Sequence, residues 1–278
     1  MVNEYYIKEK IKVIDFLKSM HLSKANIYKL FQLKAISGKE LLKENDEICN
    51  ETLYINFSLL ESNETLVPVK GDIDIIYEDN NFIALDKKSN TLIHSDGNNY
   101  DTLLNYIVFY LQEKYDDSYV RPLHRIDYET SGVILFSKNI IAHSYVSNLL
   151  EENKVFKRYN AICLGHFPKE RKKVTVSIGK DRHNSKKYIV SKTGKEAITT
   201  FELIKYSKNT SLLDVIIVTG KPHQIRVTLS YLNYPIINDK LYNPNNSNGN
   251  MKLLSKEIKF RFLNDEIDIL SKMNIEEI

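Results

Sequence analysis

The stretch RPLHRIDYETSGVILFSK, Arg121 to Lys138, sets a knot of polar residues directly against an apolar run. Val133, Ile134, Leu135 and Phe136 are β-branched or large, and so short a run between Gly132 and Ser137 reads as a buried strand. His124, Arg125, Asp127, Thr130 and Ser131 crowd the loop leading into it, so a rigid strand would hold a polar loop at its edge. Taken alone, Asp127 would cap a turn, a common place for Asp, and Arg125 would be a surface charge. A simple turn does not need so many polar groups, and chemistry is expected at this junction.

Around that stretch, 278 residues with an apolar share of 42% suit one sizeable domain with a real core and a small appendage. The charged share of 27% is ordinary for a globular chain, and no apolar run reaches the roughly 18 residues needed to span a bilayer. The opening MVNEYYIKEKIK carries glutamates and no apolar core or small-residue cleavage site, so a secretion signal is not expected. Cys49 and Cys163 stand far apart without CxxC spacing; neither a zinc site nor a disulfide framework follows, and a cytoplasmic location is expected. The formal net charge of +3 is too small to argue for nucleic-acid binding, and its distribution matters more.

Residues 11–31 show two short helical patterns. Ile14 and Leu17 share a face of the first, and Ile27, Leu30 and Phe31 a face of the second, which Ser23 is placed to cap. Ala35 to Lys39 reads as a strand breaking into a turn, and the alternation Leu53, Ile55, Phe57 as a closing strand. Ser62 to Gly71, with Asn63, Glu64 and Pro68, reads as a linker, which divides the chain into residues 1–61, a linker at 62–71, and a main domain at 72–278. Asp101 is placed to cap a helix through Leu104, Ile107, Val108 and Leu111, and a second helix carries Tyr145, Val146, Leu149 and Leu150. VFKRYNAICLG reads as a strand and LLDVIIV, Leu212 to Val218, as a buried strand; the break at Gly220 and Pro222 precedes a helix with Ile225, Leu229 and Leu232. Lys169 to Lys195 is the most basic segment, NPNNSNGN at Asn243 to Asn250 is a polar loop expected to be mobile, and IKFRF, LND and EIDIL read as a final hairpin.

HRIDYETSG, followed by a strand and Lys138, resembles the HRLDxxTSG signature of the RluA-type pseudouridine synthases, with Ile126 where leucine is usual. IIYEDNNFIALDKKSNTLIHS is similar to the family's first motif, with Lys88 and Asn90 in place of the proline and glycine of KPxGxxVH; Lys87 and His94 fall on family positions. Asn tolerates a left-handed backbone, so the turn can survive. FKRYNAICLG resembles KxYxAxVxG with Lys157, Tyr159, Ala161 and Gly165 in register. TGKPHQIRVTLSYLNYPIINDKLY resembles GRTHQIRVHLxxxGxPIxGDxxY, departing at Lys221, Pro222, Thr228, Asn233 and Asn238. The first 61 residues resemble a degenerate S-four-like (αL) RNA-binding domain whose basic run is thinned to Lys24, Lys29 and Lys34.

The resemblance implies an α+β pseudouridine synthase fold: a mixed, mainly antiparallel sheet with flanking helices and a central active-site cleft, plus the small αL-type domain. It implies an isomerase, an intramolecular transferase converting uridines of ribosomal RNA or tRNA to pseudouridine, with Asp127, Tyr159 and Arg226 as catalytic residues. Arg125, His124, Thr130, Lys157, His223 and Gln224 are then expected at the RNA, and Lys172, Lys173, Lys186 and Lys187 form a candidate phosphate track. The reaction breaks C1′–N1 and joins C1′ to C5 without gaining atoms. It needs no cofactor and no metal, in keeping with a sequence that has no GxGxxG loop, P-loop or metal-spaced His or Cys cluster. Asp127 could add covalently or take a proton from the ribose, and both routes stay open. Arg226 beside it would favour the carboxylate by opposite charge, Tyr159 offers a face for the uracil, and Arg125 would help fill the space left by an extruded base. RNA is the expected partner, without a membrane, and the expected state is a monomer. The alternative is an RNA-binding or ribosome-assembly protein of the same fold that lacks catalysis, suggested by the altered KKSN and KP elements.

Overall fold

The computed structural model describes residues 2–60, 66–95, 97, 99–115, 119–245 and 247–278. Its first elements are β1 (Val2–Ile7), β2 (Ile11–Lys12), α1 (Val13–Ser19), α2 (Lys24–Gln32), β3 (Ile36–Ser37), β4 (Glu47–Ile48) and β5 (Glu51–Asn56), followed by a 3-10 turn at Phe57–Leu60. β1, β5 and β3 form one antiparallel sheet, and β2 pairs with β4. Ser23 caps α2 as its position suggests, its hydroxyl accepting from the Asn26 amide. The sequence pattern does not disclose β1, because its inward set is Asn3, Tyr5 and Ile7, and the polar Asn3 and the Tyr5–Tyr6 pair blur the two-residue period.

The rest of the chain is built on one eleven-stranded sheet. In chain order it supplies β6 (Ile75–Glu78), β7 (Phe82–Lys87), α3 (Leu103–Tyr115), β8 (Arg121–Pro122), β9 (Ser131–Ser137), α4 (Ile140–Glu151), β10 (Phe156–Leu164), β11 (Lys172–Lys180), β12 (Tyr188–Val190), β13 (Lys195–Ser207), β14 (Thr210–Ile217), α5 (Gln224–Tyr231), β15 (Leu253–Phe262) and β16 (Asp265–Leu270). The strand order is β12-β11-β13-β14-β10-β15-β9-β7-β6, with β16 on β15 and β8 on β9. These strands pair antiparallel except β15 with β9, which meet in parallel at Leu254 with Ser131 and Ser255 with Gly132. The result is the α+β architecture expected from the sequence: a mixed, mainly antiparallel sheet flanked by helices.

β7 and β9 are buried on both faces, which is why each carries an apolar run of four, residues 82–85 and 133–136. Phe82, Ala84, Val133 and Leu135 join Ile141 and Val146 of α4 and Phe260 and Phe262 of β15 in one core. Ile83, Leu85, Ile134 and Phe136 join Ile107, Val108 and Leu111 of α3 and Ile225 and Leu229 of α5 in another. β14 departs from expectation. Leu213, Val215 and Ile217 are buried but Leu212, Asp214 and Ile216 are only half-buried, because their face is polar, with Asn160 donating to Asp214.

One local expectation is corrected. Thr102, not Asp101, opens α3: the Thr102 hydroxyl accepts from the Asn105 amide at 3.4 Å, while Asp101 takes the Tyr106 hydroxyl. Of the expected linker, residues 62–65 lie outside the described residues, and 66–71 are strapped to α3; the Val69 amide donates to Asn105 O and Asn105 Nδ2 to Val67 O at 2.7 Å. The polar loop expected to be mobile is tied at both ends, Asn243 Nδ2 donating to Ile236 O and Asn238 Nδ2 to Asn250 O, while Asn246 lies outside the described residues. Among the described residues no helix is long and apolar enough to cross a membrane.

Candidate active site

The loop between β8 and β9 carries Asp127, and its backbone is fastened from three directions. The Thr130 amide donates to Asp127 O at 3.0 Å, and the Asn90 amide and Lys87 Nζ both donate to Tyr128 O, at 2.9 and 2.7 Å. Ser89 Oγ donates to Glu129 O at 2.8 Å. Asn90 takes the left-handed conformation expected of it, with φ 59°. Lys87 is wholly buried and also donates to Lys88 O. Burial pulls its pKa down to about 7 against the opposing charge of Asp127. On the other side the Leu135 amide donates to His124 Nε2, so that ring is fixed as an acceptor, and burial lowers its pKa to about 4. His124 is therefore neutral and holds the loop to β9.

The second half of the site comes from the start of α5. Gln224 is 3% exposed: its Oε1 accepts from Thr219 Oγ1 and the Lys221 amide, and its Nε2 donates to Ile198 O and Thr199 Oγ1. All four of its hydrogen-bonding positions are used inside the protein, so it shapes the Thr219–Gln224 turn while lining one of the cavities of the site. His223 stands before the helix with φ 54°. The next turn aims Arg226 inward.

Arg226 is 3% exposed and meets three carboxylates. Its Nε and Nη2 donate to the two oxygens of Asp239 at 2.8 Å, its Nη1 to Asp127 Oδ2 at 2.9 Å, and its Nη2 also to Glu129 Oε2 at 2.9 Å. Burial works against the guanidinium charge, but the hydrogen bonds and charges of Asp239 and Asp127 outweigh it and raise its pKa further. The other oxygen of Asp127 lies 3.9 Å from His223 Nε2. His223 Nδ1 is 3.0 Å from the Tyr242 hydroxyl, which accepts from the Tyr188 amide and donates to Tyr188 O.

Two cavities share Arg125, Ile126, Asp127, His223 and Arg226 as a common wall. One, of about 670 Å³, is lined by His124, Thr130, Lys157, Tyr159, Tyr188 and Lys221; the other, of about 580 Å³, by His94, Tyr128, Glu129, Lys186 and Lys240. Tyr159 is buried on β10, and burial raises its phenol to about 12, so it stays un-ionised. Asp127, Tyr159, Arg226, Arg125, His124, Thr130, Lys157, His223 and Gln224 thus come together, although Thr130 and Gln224 are only 2% and 3% exposed. Of the basic segment, Lys186 reaches the second cavity and Lys187 lies 5.3 Å from the Tyr242 ring, whereas Lys172 and Lys173 are exposed at the start of β11 and line neither cavity. Glu129, Lys221 and Lys240 lie inside the quoted motif stretches without having been singled out as site residues, and Tyr188 lies outside them; only the fold brings the four to the cavities.

The model of the RNA pseudouridylate synthase family matches residues 81–231, more than half of the chain. The chain is 30% identical over 228 residues to "Uncharacterized RNA pseudouridine synthase YhcT" of Bacillus subtilis, covering 81% of this chain and 72% of that one. It is 35% identical over 186 residues to "Ribosomal large subunit pseudouridine synthase D" of Borreliella burgdorferi, covering 64% of this chain and 57% of the relative. Among solved structures, "Human RNA Pseudouridylate Synthase Domain Containing 1" superposes with a TM-score of 0.63 at 19% identity, over 73% of this chain and 84% of the human one, a likeness of fold.

Proposed function

The chain belongs to the RluA-type RNA pseudouridylate synthases, isomerases that act on RNA, and from that premise we propose that it converts uridine to pseudouridine in large-subunit ribosomal RNA with Asp127 as the reacting carboxylate. The choice of RNA follows the similarity to the ribosomal large subunit synthase D of Borreliella burgdorferi. The observation that carries the reading is the Asp127 carboxylate 2.9 Å from a buried Arg226, at the wall between two cavities, one of which Tyr159 lines.

A uridine within folded RNA cannot reach Asp127 unless it is extruded, at a cost of a few kcal/mol. Arg125, exposed and part of both cavities, fills the vacated space, and Lys186 takes a neighbouring phosphate. The base enters the cavity of Tyr159, where stacking on an aromatic ring is worth about 1–3 kcal/mol. C1′ then lies at Asp127, which the hydrogen bond from Arg226 Nη1 orients. The carboxylate adds to C1′ or removes the C2′ proton, the C1′–N1 bond breaks, the uracil turns on Tyr159, and C5 bonds to C1′.

Joining C1′ to C5 expels the C5 hydrogen, so RNA with tritium at uridine C5 releases it to water on turnover. Asp127→Asn keeps shape and hydrogen bonding but removes the charge. It is expected to fold and to bind RNA, with release at least about 10³-fold slower, the scale of losing a positioned proton-transfer group or nucleophile. Near-normal release by the folded variant would remove Asp127 from the mechanism.

A further inference from the structure

On β10, Lys157 and Tyr159 stand two residues apart on the same face, and both line the cavity of about 670 Å³ beside Asp127. Lys157 is 7% exposed, yet among the described residues its ammonium has no hydrogen bond and no ion pair. The other two buried lysines are engaged: Lys87 with the carbonyls of Lys88 and Tyr128, Lys138 with Glu78 and Asp79 O. Gly220 leaves room beside it, since a Cβ there would lie 3.7 Å from Lys157 Nζ. The charged and titratable groups facing the same cavity are Lys221 after β14, His124, Arg125 and Asp127 before β9, Glu151 at the end of α4, Tyr159 and Tyr188, and His223 and Arg226. Asp127 is already paired with Arg226. A cation left without an anion in so confined a place is costly, and the cost is offset when the ligand brings the negative charge.

We propose that Lys157 is a further catalytic residue: it donates a hydrogen bond to a carbonyl oxygen of the uracil as the base detaches and takes on negative charge. The inference rests on reading Asp127, Tyr159 and Arg226 as a uridine-isomerising site. When C1′–N1 breaks, the bonding pair stays with N1 and spreads over O2 and O4. This holds for either route at Asp127, because addition to C1′ and removal of the C2′ proton both expel the uracil as an anion. C5 then returns an electron pair to C1′, the C5 proton leaves to solvent, and N1 takes up a proton. Asp127 is released from C1′, or C2′ regains its proton, and Lys157 ends unchanged.

Burial lowers the pKa of Lys157 and the charge of Lys221 adds to it, so the ammonium is lost on raising pH below the ordinary lysine range. The rate should therefore be full at lower pH and fall on the alkaline side. Lys87, at about 7, would contribute a fall of its own that a change at Lys157 does not move.

The test is single-turnover tritium release at saturating enzyme, using total RNA labelled at uridine C5 from a strain that lacks this gene. Lys157→Met is expected to leave RNA affinity and its salt dependence unchanged while slowing release by about 10²–10³-fold, the scale of removing one preorganised donor at a developing charge. Lys157→Arg, always charged, should recover much of the rate and carry the alkaline fall to higher pH. If Lys157→Met instead weakens binding, flattens log affinity against log salt by about 0.7–0.9, and keeps the saturated rate, then Lys157 holds a backbone phosphate and the proposal is overturned. It is overturned as well if both the rate and the alkaline fall are unaltered. Should Lys157→Met not fold, the position of the alkaline fall in Lys157→Arg decides alone. Absence of release by the wild type would overturn the reading of the site itself, a result separable from every variant outcome.

Discussion

The single guanidinium of Arg226 answers to three carboxylates that differ in how much else they hold. Asp239 is fully buried, and besides the two bonds from Arg226 it accepts from the amides of Leu241 and Tyr242 at 3.0 Å. It fixes both the plane of the guanidinium and the turn that delivers Tyr242 to His223. Glu129 is partly exposed and accepts one bond at 2.9 Å. Asp239→Asn should therefore cost about 3–5 kcal/mol, the scale of breaking a buried pair from one side, and Glu129→Gln about 1 kcal/mol, the scale of one hydrogen bond. Urea unfolding of both variants measures this, and equal losses would mean that Asp239 is not the anchor. The pairing of Asp127 with Arg226 was legible because each sits in a motif. Glu129 was not, because two residues beyond Asp127 the motif admits any side chain and only the tertiary fold brings Arg226 to it. Gln224 holds two places at once, lining the cavity of Tyr159 while its amide fixes the Thr219–Gln224 turn, and a motif marks such a residue as needed without saying which of the two it serves.

Among the elements, β9 governs the site because the sheet changes from antiparallel to parallel where it begins. Gly132 sits at that meeting with φ 102°, and a Cβ there would lie 2.2 Å from Ser255 O, a backbone atom that cannot swing away. Gly132→Ala combines strain with a backbone clash and should destabilise by about 3 kcal/mol or more, displacing the Asp127 loop as β9 and β15 part. Gly97, with φ 100° and nothing within 4 Å of a Cβ, supplies the control: Gly97→Ala should cost only the strain, about 1–2 kcal/mol. Similar losses at the two positions would show that close approach to β15 is unimportant. The burial of β9 was readable because both its faces are apolar, and that of α5 because its stripe keeps helical spacing. The parallel contact with β15 was not readable, since nothing local in either strand encodes a partner more than a hundred residues away. LLDVIIV misled for the opposite reason: Asp214 was the one sign that its face is polar, and the leucines and isoleucines around it concealed the sign.

Over the whole molecule, the basic charge and the amino-terminal unit are expected to serve RNA binding, and the structure divides both more finely than the sequence did. Lys186 lines a cavity and Lys187 stands beside it over the Tyr242 ring, whereas Lys172 and Lys173 line neither cavity, so neutralising the first pair should flatten log affinity against log salt by about 0.7–0.9 per phosphate contact, and neutralising the second pair should do less. Equal slopes for the two pairs would return the whole segment to an ordinary solvated face. The amino-terminal unit buries Leu17, Leu30, Leu53 and Ile55 fully, in an apolar cluster that runs on into Phe82, Val146 and Phe260 of the main domain, and none of its described residues lines either cavity. It also touches the main sheet's helices, the His21 ring lying edge-on to Tyr145 of α4 at 5.8 Å, and Tyr145 in turn on Phe262. Because residues 66–71 strap α3, a chain meant to keep the site intact should begin at Leu66 and not at Asp72. That shortened chain is expected to bind large-subunit ribosomal RNA more weakly and to melt at a lower temperature, since Tyr145 loses its cover. At saturating concentration its single-turnover tritium release should match that of the full chain, because the groups that meet the uridine are all retained. A folded shortened chain that releases no tritium at any concentration would mean that the amino-terminal unit takes part in forming the site and not only in gathering RNA to it.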